Sequence, residues 1–434
     1  MDYTAALAYL DEHINLERLT AGARPEVPSL DRMRRLCSAM GDPQHAQPVI
    51  HLTGTNGKGS TTQLVTQLLL AQGLSVGTFT SPHLDRVNER LCRNGEPISD
   101  EEFAEQVAAL ADLEGITGVR PSWFELLAAS AFRWFADVAV DVAVIEVGML
   151  GRWDATNVAD GTVAVVTNIA LDHTEYAGPT RAHIAAEKAG IIKPGSTLVL
   201  GERDAELFDV FARERPAAIA WAGEHFEVLG NQLALGGRLL DVRTPQALYR
   251  ELYLPLHGAH QGDNAAAALC AVEAFFDAPL ALDVVQEAFA AARMPGRFEV
   301  LGHQPLVIVD GAHNPAGADV CASVLAEDFD PAGDKHLVVG MLRSRDPVEM
   351  LEALRAEEFA TVVCCTPPSP RALPAAELAA VARRLGLESV VVLDDVAAAC
   401  DVALRRAGPD DAVLVAGSLY VVAAARQHLR LVLP

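Results

Sequence analysis

A glycine-rich segment between a short apolar run and a helical pattern constrains the fold of this chain most. Residues 48–54 (PVIHLTG) are apolar, GTNGKGS occupies 54–60, and a helical pattern covers 58–72. The run at 75–81 (SVGTFTS) is again strand-like. Strand, loop, helix and strand in this order begin a parallel α/β sheet. The sequence therefore predicts an α/β fold whose first parallel strands flank this glycine-rich loop.

The same alternation continues along the chain and then starts a second time. Residues 218–256 are more β-like and carry turn signals. The strand-like and helical runs of the first part lie at 140–148, 162–169, 181–192, 261–276 and 281–293, and further strands are predicted at 306–311, 336–341, 360–365, 389–393 and 412–417. A chain of 434 residues is too long for one ordinary domain. We predict an ATPase-type parallel-sheet domain over 1–295 and a smaller Rossmann-like α/β domain over 296–434.

Charge and cysteine usage exclude several classes of protein. The formal net charge of −24 argues against a broad nucleic-acid surface, which requires a basic face. The seven cysteines are scattered, without a C-x-x-C pair, which favours a reducing cytoplasm over a disulfide or zinc framework. We find no signal peptide and no apolar run of ~18 residues that could span a membrane. The expected protein is cytoplasmic and monomeric, and its partners are small molecules.

The glycine-rich loop has the composition of a phosphate cradle. Its glycines let the backbone approach a ligand, and N–H groups at the start of the helix point towards an anion. Lys58 would meet the β- and γ-phosphates, and Ser60 or Thr61 would offer a hydroxyl to Mg²⁺. The usual consensus would have glycine where Leu52 stands and no residue between the lysine and the hydroxyl, where Gly59 stands. The alternative is a plain glycine turn with one exposed lysine.

Further motifs follow in a fixed order. They are SPHL (81–84), NERLCRNGEPI (88–98), SWFELLAASAF (122–132), EVGMLGRWDATN (146–157), TNIALDHTEYAG (167–178), AAEKAGIIKPG (185–195), HGAHQGDNAAAAL (257–269), MPGRFE (294–299), DGAHNPAG (310–317) and GSLYVV (417–422). With GTNGKGS they resemble the folylpolyglutamate synthase and dihydrofolate synthase branch of the Mur ligase family. This resemblance covers nearly the whole chain. One departure is Leu150-Gly151 before Arg152, where the family usually has two glycines, and Trp153 follows this arginine.

The resemblance implies the positions of nucleotide and metal contacts. ATP is expected to contact Gly54, Thr55, Asn56, Gly57, Lys58, Gly59, Ser60, Thr61, Asn264, Arg297 and Asp310. Two Mg²⁺ ions, with K⁺ as a further cation, are expected, and the implied metal ligands are Ser60, Ser81, Glu146 and His173. Lys188 is expected to be N6-carboxylated, since a lysine of lowered pKa offers a neutral amine to CO₂. The implied catalytic residues are Lys58, His173, Lys188 and Arg297.

Several of these residues also have simpler interpretations. His173 by itself is more typical of a capping or solvated histidine, and Lys188 of a solvated lysine on a helix. Arg297 could form a surface ion pair, and Asp310 could cap a strand end. For Glu146, a carboxylate that ends an apolar strand is costly unless it meets a cation.

The substrate side is also implied by the resemblance. The folate contacts are expected at Pro28, Ser29, Leu30, Ser122, Trp123, Phe124, Glu125, Trp153, Asp154 and Ala155, and the glutamate contacts at His313 and Ser418. Trp123 and Phe124 could equally be core aromatics of a helix.

The implied reaction is an ATP-dependent ligation. The γ-phosphoryl group of ATP is transferred to a carboxylate, and the amine of L-glutamate attacks the resulting acyl phosphate. The expected acceptors are dihydropteroate and the glutamate tail of reduced folates, and the sequence does not separate the two activities. A Mur ligase that acts on a muramyl nucleotide is the nearest alternative, but only ~50 residues precede the loop, too few for the usual substrate domain. A non-catalytic nucleotide-binding module is the alternative from another class.

Overall fold

The computed structural model of the chain describes residues 1–15, 17 and 29–433. Among these residues, one compact unit comprises 1–255 and 261–292, and a second comprises 256–260 and 293–433. The sequence-based domain boundary between 295 and 296 remains a prediction. No helix among the described residues has the length and apolar character needed to cross a membrane.

The first unit is built around an eight-stranded sheet. Its strands are β1 Val49–Thr53, β2 Val76–Phe79, β3 Leu91–Arg93, β4 Glu96–Pro97, β5 Val142–Glu146, β6 Gly161–Val166, β7 Thr197–Leu200 and β8 Ala218–Trp221. The order is β4-β3-β2-β5-β1-β6-β7-β8, and all neighbours are parallel except those that involve β3 and β4. Every residue of β1 and β5 is buried, as expected for central strands covered on both faces.

Helices and one smaller sheet complete this unit. The helices are α1 Tyr3–Asp11, α2 Asp31–Ala39, α3 Lys58–Ala71, α4 Asp100–Thr117, α5 Trp123–Asp137, α6 Thr174–Ala177, α7 Arg181–Ala189, α8 Ala205–Ala212, α9 His260–Phe276 and α10 Leu282–Ala290. The antiparallel sheet has the order β11-β10-β9 and comprises β9 Glu227–Ala234, β10 Gly237–Arg243 and β11 Leu248–Leu254. Serine caps with a glutamate three residues later begin α4 and α5.

The second unit has a six-stranded sheet of order β12-β13-β17-β14-β15-β16. Its elements are β12 Glu299–His303, β13 Leu306–Val309, α11 Pro315–Val324, β14 Lys335–Val339, α12 Pro347–Ala353, β15 Thr361–Cys364, α13 Ala375–Arg384, β16 Val390–Val392, α14 Val396–Arg406, β17 Ala412–Ala416 and α15 Leu419–Val432. Only β12 runs antiparallel to its neighbour. An open parallel sheet with alternating helices is the predicted Rossmann-like arrangement.

The predicted α/β fold, with a parallel-sheet first part and a smaller second part, is confirmed. Each predicted strand run overlaps a strand of the structure, and the helical runs at 58–72 and 181–192 correspond to α3 and α7. The β-like region 218–256 divides into β8, which joins the large sheet, and the three antiparallel strands. The sequence analysis did not identify α8 or the antiparallel strand β12. All seven cysteines are unpaired and buried.

Candidate active site

The bend between β1 and α3 requires glycine at two positions. Gly54 and Gly57 have φ of +155° and +81°. A β-carbon on Gly54 would lie 1.8 Å from Thr167 Oγ1, and one on Gly57 would lie 2.4 Å from Asn264 Oδ1. Gly57 is also the residue that precedes α3, so no side chain caps the first N–H groups of this helix. The bend therefore presents bare backbone donors at a helix start, as an anion site requires.

A second loop fixes the bend from the end of β6. Thr55 N donates to Asn168 O at 2.9 Å, and Asn56 N donates to Asn168 Oδ1 at 3.0 Å. Asn168 Nδ2 and Thr167 Oγ1 both donate to Asn56 O, at 3.0 and 2.6 Å. Because β1 and β6 are parallel neighbours, their carboxyl ends bring these loops to the same sheet edge. The conformation of the bend is thus set by contacts that need no ligand.

Two lysines approach this bend from different helices. Lys58 Nζ donates to the carbonyl oxygens of Gly54 and Thr55 at 2.9 and 3.2 Å. Lys188 Nζ, from α7, also donates to Gly54 O, at 2.6 Å. Lys188 is buried with 3% exposure, and its pKa is well below the usual value, mainly because of burial and secondly because of the nearby Lys58. The simple interpretation of Lys188 as a solvated lysine is wrong, and a neutral amine is the chemical state that burial favours.

The start of α3 contacts another predicted nucleotide residue. Thr61 is fully buried and its hydroxyl donates to Asn264 Oδ1 at 3.4 Å. Asn264 Nδ2 donates to Gln261 Oε1 at 2.9 Å, which fixes the orientation of the amide. The structure thus brings Thr61 and Asn264 together, and Ser60 in the first turn of α3 is also buried.

The predicted metal ligand Glu146 lies beside the first turn of α3. Its side chain is 3% exposed, and its Oε2 accepts a hydrogen bond from Ser81 N at 3.0 Å. A β-carbon on Gly59 would lie 3.8 Å from both carboxylate oxygens. The carboxylate therefore lies beside Ser81 and Gly59, next to the glycine bend at 54–57.

His173 follows the loop after β6, which contacts the glycine bend where Ala170 N donates to Thr55 Oγ1 at 3.0 Å. It adopts φ of +52° immediately before the short helix α6, and its Nε2 is 3.7 Å from Asp172 Oδ2. Within the described part of the chain, no group of three or more His, Cys, Asp and Glu side chains is arranged to hold a metal. The oxygen donors of Glu146, Ser81 and Ser60 nevertheless fit Mg²⁺, which takes few protein ligands and completes its shell with water and phosphate oxygens.

The predicted folate contacts form three segments, and a hydrogen bond links the start of α5 to the helix that follows the first segment. Ser122 and Glu125 exchange hydrogen bonds, Ser122 N to Glu125 Oε2 at 2.6 Å and Glu125 N to Ser122 Oγ at 3.3 Å, so both residues cap α5. Arg32 Nε donates to Glu125 Oε1 at 3.3 Å and so links this cap to the first turn of α2. Leu30 is buried and Ser29 is exposed, whereas Pro28 lies outside the described residues.

The two aromatic residues of this segment differ in their surroundings. Trp123 is 5% exposed and belongs to the main core of the unit. Phe124 is half-buried, contacts Phe79 with ring centroids 5.8 Å apart, and fills the space that a side chain on Gly148 would need. The interpretation as core aromatics therefore suits Trp123 better than Phe124.

The loop after β5 carries the remaining folate candidates. Trp153 is 48% exposed, whereas Asp154 and Ala155 are buried. Asp154 accepts from Met149 N at 2.9 Å, from Thr156 N at 3.0 Å and from Thr156 Oγ1 at 2.5 Å. Burial raises the pKa of Asp154, and these hydrogen bonds partly offset that rise. Asp154 thus shapes the loop on which Trp153 is presented.

The predicted residues of the second unit gather at the ends of β13 and β17. Asp310 accepts from Phe298 N and Ala312 N, both at 2.8 Å. Arg297 Nη1 donates to Gly311 O at 3.3 Å, and His313 Nδ1 lies 2.9 Å from the same oxygen. Ser418 caps α15 by accepting from Tyr420 N at 3.2 Å. Asp310 has the strand-end role that the simpler interpretation gave it.

The sequence analysis did not select some residues that shape the site. Thr167 and Asn168 fix the glycine bend between β1 and α3. Arg90 lies over the ring of Trp123, with its Cζ 4.7 Å from the ring centroid. All three residues lie in motifs that the resemblance includes. Their contacts join segments far apart in the chain, so the local pattern could not identify them.

Comparison with known proteins agrees with this geometry. The model of the Mur ligase middle domain matches residues 125–272, and the model of the Mur ligase glutamate ligase domain matches 296–419. Dihydrofolate synthase/folylpolyglutamate synthase from Mycobacterium tuberculosis is 39% identical over 463 residues, which cover 95% of this chain and 93% of the relative.

Solved structures match over the whole chain. Mycobacterium tuberculosis folylpolyglutamate synthase complexed with ADP has a TM-score of 0.90 and 37% identity, over 99% of each chain. The Yersinia pestis bifunctional folylpolyglutamate synthase/dihydrofolate synthase, complexed with AMPPNP and Mn ion, has a TM-score of 0.86 and 32% identity, over 99% of this chain and 98% of that one. With its Mur ligase domains and this similarity along its full length, the chain belongs to the dihydrofolate synthase/folylpolyglutamate synthase family.

Proposed function

We propose that this chain joins L-glutamate to dihydropteroate and also extends the glutamate tail of reduced folates. It is an ATP-dependent ligase of the Mur type and uses a nucleotide and a divalent metal ion. The observation that carries the proposal is the glycine bend at 54–57, held open by Thr167 and Asn168 with two lysines and a buried carboxylate beside it. Such a site suits phosphoryl transfer from ATP to a carboxylic acid.

The first chemical step needs a positioned triphosphate. Backbone N–H groups of the bend and of the first turn of α3 bind the phosphates, and Lys58 moves its ammonium from the loop carbonyls to the β- and γ-phosphate oxygens. The acceptor carboxylate attacks the γ-phosphorus, the bond to the β-bridging oxygen breaks, and ADP leaves. The glutamate amine then attacks the acyl carbon, phosphate leaves and the amine loses a proton.

The metal complement in this proposal is two Mg²⁺ ions with an additional K⁺. Ser60 serves one magnesium site, and Ser81, Glu146 and His173 serve the other. When bound, the ions neutralise charge on the phosphates. Glu146 supports this assignment best because it is a carboxylate buried next to the phosphate bend, where an unmatched negative charge is costly.

Lys188 is proposed to be carboxylated. Its neutral amine adds to CO₂, a C–N bond forms and one proton is released, which converts a buried amine into an anion. The low pKa of Lys188 supports this step because only the neutral amine is nucleophilic. An anion beside Lys58 would also remove the repulsion between two neighbouring ammonium groups.

The acceptor and the amino acid bind at different parts of the chain in this proposal. Phe124, Trp153 and the capped start of α5 line the folate side, with Pro28, Ser29, Leu30, Ala155 and Asp154 around it. Arg297 and Asp310 contact ATP, and His313 and Ser418 contact L-glutamate. The contacts of His313 and Arg297 with the Gly311 carbonyl support a shared role for this sheet edge.

A phosphate-release assay tests the proposal. Purified protein with ATP, Mg²⁺ and L-glutamate is given dihydropteroate, tetrahydrofolate or a muramyl nucleotide, and products are identified by mass. Release with the first two acceptors, and a mass gain of one glutamate, is expected. Release with the muramyl nucleotide alone would favour a cell-wall ligase, and none with any acceptor would favour a nucleotide-binding module.

We further propose that the enzyme acts as a cytoplasmic monomer without nucleic-acid partners. Its net charge of −24 disfavours polyanion binding, and its seven buried thiols suit a reducing compartment. Sedimentation of the purified protein at ~10 µM should give the mass of one chain. A dimer mass at this concentration would contradict the proposal.

A further inference from the structure

Arg90 is a buried cation that the reaction described above does not use. It ends a short turn before β3, and its side chain is only 1% exposed. Its carbonyl oxygen accepts a hydrogen bond from Thr80 N at 3.0 Å, so its backbone is tied to the end of β2. A guanidinium is costly to bury unless its charge and its donors are matched, which makes its partners informative.

The guanidinium of Arg90 joins two segments that are far apart in sequence. Nη1 and Nη2 each donate to one carboxylate oxygen of Glu17, both at 2.8 Å. Nε donates to His83 Nδ1 at 2.9 Å. The planar donors of arginine suit such a two-point contact, which lysine cannot reproduce. His83 lies two residues after Ser81, whose N–H donates to Glu146. Arg90 therefore contacts the loop at 81–84, which carries the predicted metal ligand Ser81.

The same guanidinium lies over the ring of Trp123. Arg90 Cζ is 4.7 Å from the centroid of the Trp123 ring, within the range of a cation–π contact. Trp123 N also donates to Ile14 O at 3.0 Å, so the residue three positions before Glu17 lies against the start of α5. Trp123 is therefore fixed from its ring face by Arg90 and from its backbone by Ile14.

We propose that Arg90 is a positioning residue for the folate side of the site. Its contact with Trp123 fixes the start of α5, and its contact with His83 fixes the loop at 81–84, so the two segments are held together. Glu17 neutralises its charge. Arg90 itself does not touch the substrates. The inference rests on the proposed function, because it takes the start of α5 as part of the wall that receives the folate acceptor.

Arg90→Lys is the main test, since it keeps the positive charge but loses the two-point contact and the flat stacking face. We expect the KM for dihydropteroate to rise about tenfold, a loss of ~1.4 kcal/mol in binding, with the KM for L-glutamate unchanged. Arg238→Lys is the matched control, because Arg238 is also buried and donates through Nε to Asn231 at 2.8 Å, on the three-stranded sheet. This control should change the melting temperature without changing either KM.

A double-mutant cycle separates positioning from general stability. If Arg90 acts through Trp123, Arg90→Lys should raise the acceptor KM much less in a Trp123→Phe background than in the wild type. Additive effects, or equal rises in the KM values for dihydropteroate and L-glutamate, would overturn the inference. If Arg90→Lys does not fold, Glu17→Gln carries the test, with an expected rise of about threefold in acceptor KM alone, and an unchanged acceptor KM would reject it.

The wild-type enzyme distinguishes the two possible failures. A wild type that ligates dihydropteroate, with an Arg90→Lys variant of the same acceptor KM, rejects only the role of Arg90. A wild type without ligation of dihydropteroate or reduced folates rejects the proposed function itself.

Discussion

The strand ends of the two units carry their charged groups in different ways. At the first, Glu146 and Lys188 are each only 3% exposed. At the second, Asp310 is satisfied by two backbone N–H groups, and Arg297 donates to a backbone carbonyl. Burying a charge costs free energy that a stable fold would otherwise avoid, whereas a backbone cap stabilises its own loop. The two strand ends therefore differ in burial, since Glu146 and Lys188 are buried whereas Asp310 and Arg297 are half-buried. We expect substitutions at the first strand end to cost more activity than substitutions at the second.

Removal of the lysine at the phosphate bend should give the largest effect. We expect Lys58→Ala to lower kcat/KM roughly 10³-fold, because the developing charge on the phosphates loses its nearest cation. Lys335→Ala is the control, since Lys335 pairs with Glu358 in the second unit. Phosphate release measures both variants. A Lys58→Ala enzyme within about threefold of the wild type would show that the bend is not a phosphate site.

Carboxylates at the two strand ends should respond differently to neutralisation. For Glu146→Gln we expect activity to fall about 10²-fold and the half-saturating Mg²⁺ concentration to rise. For Asp310→Asn we expect a lower melting temperature, because an amide cannot accept both backbone hydrogen bonds equally, with the same Mg²⁺ dependence. Titration of phosphate release with Mg²⁺ compares them. An equal rise of the half-saturating Mg²⁺ concentration in both variants would contradict the expected difference between the two strand ends.

The buried lysine offers a chemical test of the same contrast. Lys188→Ala should lose activity by about 10²-fold and regain part of it with added acetate or formate, which replace the carbamate anion. Lys193→Ala is the control, because burial also lowers the pKa of Lys193, whose Nζ donates to Asn157 O at 3.1 Å. A carbamate carbon in the ¹³C NMR spectrum under ¹³CO₂ should vanish only in Lys188→Ala. Unchanged turnover in this variant would exclude the carbamate role.

The smallest expected effect concerns two buried histidines on central strands. His51 in β1 has its pKa lowered to about 3 from 6.5, first by burial and then by Lys193, and its Nε2 lies 2.9 Å from Thr156 Oγ1. Below pH 6.5 the unfolded chain binds a proton that the folded chain refuses until about pH 3. His51 therefore does not reduce the free energy of unfolding above pH 6.5. Below this pH the free energy of unfolding falls on acidification, by up to ~1.4 kcal/mol per pH unit.

His51→Phe should accordingly flatten the decline of the melting temperature between about pH 6 and 4. His336→Phe is the control from the second unit, because His336 is also a buried histidine on a central strand, with its Nε2 3.5 Å from Asp411 Oδ2. Calorimetry over this pH range measures both. Parallel acid curves for wild type and His51→Phe would contradict the role of His51.

Local patterns in the sequence sufficed for the strands and for the glycine bend between β1 and α3, whose role as a phosphate site stays a prediction. Glycine spacing and a strand followed by a helix are properties of neighbouring residues, so 54–60 could be identified directly. The burial of Lys188 was also predictable from helical periodicity. It falls four residues after Ile184 and next to Ala189, on the buried face of α7. The simpler interpretation of a solvated lysine ignored this periodicity.

Other parts of the site depend on pairings that no local pattern contains. Arg90 and Glu17 are 73 positions apart, and Asn56 and Asn168 are 112 apart. Arginine in a turn is usually solvated, and only the fold supplies the carboxylate and the ring that allow its burial. Ser122 and Glu125 are a different case, because serine followed by glutamate three residues later is itself a local capping pattern, which the sequence analysis did not use.

The two glycines that flank Lys58 should differ sharply in a library of random replacements. A side chain at position 57 would meet the amide of Asn264, and its φ of +81° would remain unfavourable even if that asparagine were trimmed. A methyl group at position 59 has 3.8 Å of clearance from the Glu146 carboxylate. Replacement of glycine is therefore disfavoured at position 57 for two independent reasons, whereas a single substitution to alanine fits at position 59.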